Sequence, residues 1–170
     1  MKNYSGIGSR KTPLNVQKVM TQVAQDLSSQ DWTLRSGGAE GADKAFELGS
    51  IKKEIYLPWQ FFNSNPSQLY SPSALATVIA ERYHPAWDSL SKPAKLLMAR
   101  NTHQILGQRC NNPVKFVICW TPDGAEKFTS AATGGTGMAI RIAIDLGIPV
   151  FNLKKLNTLN RLVEYIDTLK

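Results

Sequence analysis

Ser36-Gly37-Gly38-Ala39-Glu40-Gly41-Ala42-Asp43 decides how this chain is read. A strand-like run, Trp32-Thr33-Leu34-Arg35, precedes it, and a helix-like run, Lys44-Ala45-Phe46-Glu47-Leu48, follows. Glycines at a strand-to-helix turn take backbone angles that other residues avoid and let the chain come close to a ligand. The helix start behind them offers unpaired N–H groups and the positive end of a dipole, which suit an anion such as phosphate. Two similar turns stand elsewhere: Gly6-Ile7-Gly8-Ser9-Arg10 near the start, and Thr133-Gly134-Gly135-Thr136-Gly137 near the end. Three such turns in 170 residues point to a phosphate-binding pocket.

Outward from these turns the chain alternates strands and helices. Tyr4 to Gly8 reads as a first strand ending in glycines. Thr12 as N-cap and Pro13 in the first turn then open a helix whose apolar positions, from Leu14 to Leu27, keep a helical period. Trp32 to Arg35 is strand two, and a helix ending near Gly49 follows the glycine turn. Glu54 to Leu57 is strand three, stopped by Pro58. Trp59 to Pro72 reads as a long aromatic and polar connection, with Trp59, Phe61 and Phe62 either stacking on a base or covering the sheet edge. Ser73 and Ser91 each cap a helix, and Gly107 ends the second of these. Lys115 to Trp120 is a nearly all-apolar fourth strand, as burial on both faces demands. A polar loop, a helix through Met138–Ile144, a fifth strand Ile148–Asn152 and a last helix Leu156–Leu169 complete the chain.

This alternation predicts an α/β fold: a three-layer, Rossmann-like arrangement around a parallel sheet of order 3-2-1-4-5, in one domain over 1–170. The order reverses between strands one and four. Ligands of such sheets bind at the carboxyl ends of strands beside that reversal. The first and third glycine turns should flank the crevice, with the second next to them.

Composition narrows the partners. Apolar residues make up 42% and charged residues 19%, a globular balance. No apolar run is long enough to span a bilayer, and no apolar signal segment follows Lys2, so the expectation is a cytoplasmic protein without membrane contact. Cys110 and Cys119 have neither CxxC spacing nor clustered histidines, which argues against zinc and against a disulfide framework; no metal or cofactor is expected. The net charge of +7 favours anionic partners, although the basic residues are scattered as pairs rather than gathered in a tract.

Several residues stand out as candidates. Gly6-Ile7-Gly8 begins like a dinucleotide fingerprint, but Lys11 occupies the third glycine's place, so NAD is not inferred. Gly8 with Ser9 and Arg10, a hydroxyl and a guanidinium beside a helix start, suits a phosphate. Ser36, Gly37 and Gly38 offer a second bend, and Gly134, Gly135, Thr136 and Gly137 carry more glycine than a helix start needs. Glu40 and Asp43 either cap the second helix or contact a ribose hydroxyl. Asp123 reads as a general base or a sugar contact, against the plainer reading of a solvated loop carboxylate. Arg100, Asn101 and His103 form a polar stretch late in a helix.

Taken in order, Gly6–Arg10, Ser36–Asp43, Arg100-Asn101 and Thr133–Gly137 resemble DprA-like proteins of the SLOG superfamily, as does the segment from Ala139 to Phe151. The resemblance covers most of the chain, and Ser36–Asp43 is its most specific part. It implies a Rossmann-like domain that binds nucleotides, nucleotide derivatives or single-stranded DNA, often as a homo-oligomer. A second branch, the LOG-type phosphoribohydrolases, cleaves nucleoside monophosphates and carries PGGxGTxxE. Here Thr133 replaces the proline, Met138 the threonine and Arg141 the glutamate. Hydrolysis of that kind would need another carboxylate, such as Glu40, Asp43 or Asp123. The leading expectation is therefore binding of a nucleotide or single-stranded nucleic acid through Gly8, Ser9, Arg10, Ser36, Gly37, Gly38, Arg100, Asn101 and Gly134–Gly137. A nucleotide hydrolase and a sensor that sequesters a signalling nucleotide are the alternatives.

Overall fold

The computed structural model describes residues 1–170. Six strands form one parallel sheet: β1 (Asn3–Gly6), β2 (Thr33–Ser36), β3 (Lys53–Leu57), β4 (Leu69–Tyr70), β5 (Val117–Cys119) and β6 (Val150–Asn152). Their order is β4-β3-β2-β1-β5-β6. The five expected strands keep the expected order, and β4 extends the sheet beyond β3. β4 lies inside the connection read as irregular. Its two residues, bounded by Pro66 and Pro72, are too short to show a period of two, and pairing with Tyr56 and Leu57 is what makes them a strand.

Helices α1 (Leu14–Ser29), α2 (Ala42–Gly49) and α6 (Thr158–Thr168) cover one face, and α3 (Ala74–Tyr83), α4 (Lys92–Leu106) and α5 (Thr136–Asp145) the other. The alternation of side chains along β5 shows why the sheet needs both covers. Phe116, Ile118 and Trp120 pack with Met20, Leu27, Phe46 and Leu162, while Val117 and Cys119 pack with Ile105, Ile140 and Ala143. No helix is long and apolar enough to cross a membrane.

The serine caps act as the sequence implies. Ser73 Oγ accepts from the Ala76 amide at 3.1 Å, and Ser91 Oγ from the Ala94 amide at 3.3 Å. Thr12 does not cap α1. Pro13 holds the cap position with an extended backbone, and the Thr12 hydroxyl instead donates to Ser9 O at 2.6 Å, bracing the first glycine turn.

Helices α1 and α2 meet where Gly49 lies against the α1 backbone. A β carbon there would stand 2.2 Å from Thr21 O and 2.8 Å from Ala24 Cβ. Gly49→Val should therefore force the two helices apart and destabilise the fold by about 1–3 kcal/mol. The check is a lower urea midpoint with an unchanged slope.

Candidate functional site

At the carboxyl ends of β1, β2 and β5 lies a cavity of about 380 Å³. Three separate stretches wall it: Ile7 to Lys11 after β1, Ala39 and Asp43 after β2, and Ala132 to Thr136 leading into α5. The face of α4 bearing Leu97, Met98, Arg100, Asn101 and Gln104 closes it. Another cavity, of about 400 Å³, opens between β4 and the end of α4 beside Tyr56, Tyr70, His103 and Arg109, and none of the glycine turns reaches it.

The walls are held in place by their own hydrogen bonds. The Ser9 amide donates to Trp120 O at 3.1 Å, tying the first turn to the end of β5. Gly41 sits at φ +82° directly against that turn; a β carbon there would lie 2.7 Å from Ser9 O and 2.8 Å from Arg10 O. Close approach and a left-handed backbone both call for glycine here. Asn101 Nδ2 donates to Gly135 O at 3.0 Å, which fixes the third turn to α4.

Asp43 sits at the centre of these contacts and is 4% exposed. Its carboxylate accepts from the Ala39 amide at 3.2 Å, and the Gly37 and Gly8 amides and the Arg100 guanidinium also favour its charged form. Burial outweighs these influences and raises its pKa to about 6. Arg100 is 6% exposed; Nη1 donates to Gly37 O and Nε to Asn101 Oδ1 at 2.9 Å. Burial pushes its pKa down, Asp43 pushes it back up, and the nearby positive charge of Arg10 lowers it further.

The expected residues divide between lining the cavity and supporting it. Gly8, Ser9, Arg10, Asp43, Arg100, Asn101, Gly134, Gly135 and Thr136 line it. Ser36, Gly37, Gly38 and Gly137 do not. The Ser36 hydroxyl donates to Gly6 O at 2.6 Å, Gly37 lies beneath Arg100, Gly38 O accepts from Asn63 Nδ2 at 3.1 Å, and Gly137 packs on Thr133. Glu40 also lies outside, exposed and 3.6 Å from Lys44 Nζ. Asp123 is drawn into its own loop. Burial pushes its carboxyl up, but bonds from Thr133, Ser130, Thr121 and the Ala125 amide more than offset this and hold it below the usual carboxylate range. His103 turns toward the second cavity: Nε2 accepts from the Ser73 amide at 3.1 Å, and the ring stacks on Tyr56 with centroids 5.4 Å apart.

Lys11, Leu97, Met98 and Gln104 line the cavity without having been singled out from the sequence. The signal for two of them was present: Leu97, Asn101 and Gln104 recur at steps of four and three, one face of a helix. The polar stretch itself hides this, since residues 99 to 106 are all buried rather than solvated. No three His, Cys, Asp or Glu side chains gather as metal ligands would.

Together, the doubly covered parallel sheet and a cavity walled by glycine turns at its carboxyl edge define a Rossmann-like α/β protein with a ligand-sized crevice. Among solved structures the chain is similar to DNA processing protein A from Helicobacter pylori. The TM-score is 0.59 and the identity 18%, over 96% of this chain and 72% of that one, so the fold is DprA-like. That protein has a single-stranded DNA binding mode. No protein family and no curated protein matches the chain in sequence.

Asp43→Ala should destabilise the protein by about 1–3 kcal/mol, because it leaves the buried Ala39 amide, and the Gly37 and Gly8 amides with it, without their acceptor. A pH series gives a second check. A carboxyl whose pKa rises from 3.8 to about 6 on folding adds stability below 3.8 that is lost as pH climbs through 6. Unfolding by urea should therefore show wild type gaining on Asp43→Asn as the pH falls across that window, with no such trend above it.

Proposed function

We propose that the cavity is an anion cradle for the phosphate of a nucleotide or of single-stranded nucleic acid, and that the protein works by binding. One observation carries this reading: three sequence-distant turns wall a single cavity whose cationic side chains outnumber its acidic ones. Arg10 and Lys11 stand exposed at its margin, and Arg100 lies behind them. Its one carboxylate, Asp43, is already engaged with backbone amides and Arg100. The start of α5 at Gly135 and Thr136 adds unpaired helical amides. The likeness to a protein with a single-stranded DNA binding mode supports extending the ligand class from nucleotide to strand.

A hydrolytic reading has one observation in its favour. Asp43 lines the cavity with a pKa raised to about 6, where a carboxyl exchanges protons near neutral pH. Incubation with a panel of nucleoside monophosphates, followed by chromatography for free base, tests it. Product formation that disappears in Asp43→Asn would favour hydrolysis, and absence of product from every substrate would reject it.

Filter binding of oligothymidylate across about 50–200 mM salt tests the binding reading. The affinity should fall steeply with salt. Arg10→Ala should weaken binding and make the log–log slope shallower by about 0.7, the loss of one phosphate contact on a single strand. A flat salt response, or an Arg10→Ala variant that binds like wild type, would overturn it.

A further inference from the structure

The loop after β3 carries three aromatic residues, Trp59, Phe61 and Phe62, within four positions, and they are placed very differently. Phe62 is buried, with the Arg100 guanidinium 5.8 Å from its ring centroid. Trp59 meets Phe62 edge-on, their centroids 5.3 Å apart. Phe61 is 60% exposed, and Trp59 is 38% exposed.

The backbone that presents Phe61 is unusual. Phe61, Asn63 and Ser64 have φ of +58°, +50° and +60°. The left-handed region is disfavoured for any residue with a β carbon, and for a bulky aromatic it is a true outlier. Such conformations persist where the surroundings over-determine them, and they gather at ligand sites. Here Asn63 Nδ2 donates to Gly38 O at 3.1 Å and Asn65 Nδ2 to Glu47 Oε2 at 3.0 Å. Ser67 Oγ donates to Ile55 O at 2.6 Å, and the Ser64 amide to Phe61 O at 2.9 Å. A large apolar ring is thereby held in water by a braced loop. That loop packs behind the cavity wall: Phe62 lies against Arg100, which lines the cavity, and Asn63 bonds Gly38, the neighbour of lining Ala39.

We propose that Phe61 is a stacking platform for a nucleobase neighbouring the one whose phosphate the cavity holds, so that the occupant is a single-stranded nucleic acid rather than a free nucleotide. This inference rests on the cradle reading above. A rigid exposed ring gives every base a π-face to stack on, while the cationic margin at Arg10 and Lys11 holds the backbone. The chain's net charge of +7 complements a polyanion. Apart from the partly exposed Trp59, the ring's exposed neighbours, Gln60, Asn63 and Ser64, are polar, so the loop's apolar area is small beside what a protein partner would bury.

The test is calorimetric titration of the full chain with dAMP and with the 5′-phosphorylated dimer and trimer of deoxyadenylate. Wild type should bind the trimer roughly tenfold or more tighter than dAMP, the worth of one stacked base. Phe61→Ala should bring the trimer down to the level of dAMP and leave dAMP itself unchanged. Phe61→Trp should retain the gain, and Phe61→Leu, which keeps apolar bulk without a π-face, should lose most of it. Thermal melting of each variant establishes that it is folded, and Phe61→Leu carries the test if Phe61→Ala is not. If wild type binds dAMP and trimer equally, or if Phe61→Ala weakens both alike, the platform is overturned while the cradle stands. If wild type binds neither, the cradle is overturned and the platform with it.

Discussion

The site depends on one buried carboxylate. Asp43, at the start of α2, attracts the Arg100 charge in α4 from a distance while its carboxylate draws on amides of two different glycine turns. These elements come from opposite faces of the sheet, and the bond from Arg100 to Gly37 O ties α4 to the turn that Asp43 braces. Two buried charges that attract without touching are weak evidence of net stability, and for Asp43 desolvation outweighs the attraction. What the carboxylate secures here is geometry. With the carboxylate gone, the Gly8 and Gly37–Ala39 bends would lose their shared acceptor.

Bonds to the second turn account for the division between lining and supporting residues. Gly37 gives Arg100 a carbonyl to bond, and Gly38 gives one to Asn63. Neither touches the cavity, yet both determine where its walls stand. The third turn works similarly. Asp123 gathers the hydroxyls of Thr121, Ser130 and Thr133, so the polar loop before α5 is folded around its own acid. A carboxylate that accepts this many bonds from its neighbours is held ionised in place.

Much of this was legible in the sequence, and the parts that were not have physical reasons. Strands β3, β5 and β6 carry apolar runs, β1 and β2 are marked by the glycine turns that end them, and right-handed crossovers leave few ways to order the five. Glycine turns mark where the chain passes from strand to helix, so the crevice could be expected at the β1–β5 reversal. Burial of the Arg100–Gln104 stretch was not legible. A polar run on a helix reads as solvated unless its partners are known, and those partners, Asp43, Gly37 and Gly135, are 34 or more residues away in sequence. The left-handed backbone at Phe61 was equally hidden. Nothing in Trp59-Gln60-Phe61-Phe62 supplies the glycine that normally signals a positive φ; bonds from outside the segment impose it.

The electrostatics of the cavity bear on the proposed guest. Arg10 lies close enough to Arg100 to depress its pKa, and the one acid in the cavity offsets Arg100 from the buried side. Like charges held by a rigid scaffold raise the energy of the unliganded state, and an anion between them relieves that repulsion while losing little freedom of the walls. A site made for proton transfer would leave its carboxylate free to meet a substrate, whereas Asp43 already serves as acceptor for the turns around it. The arrangement of charge therefore agrees with the proposed anionic guest, and under that proposal specificity lies outside the cradle. Phosphates are alike in every nucleotide, so discrimination has to come from groups that meet the base or the next residue of a strand.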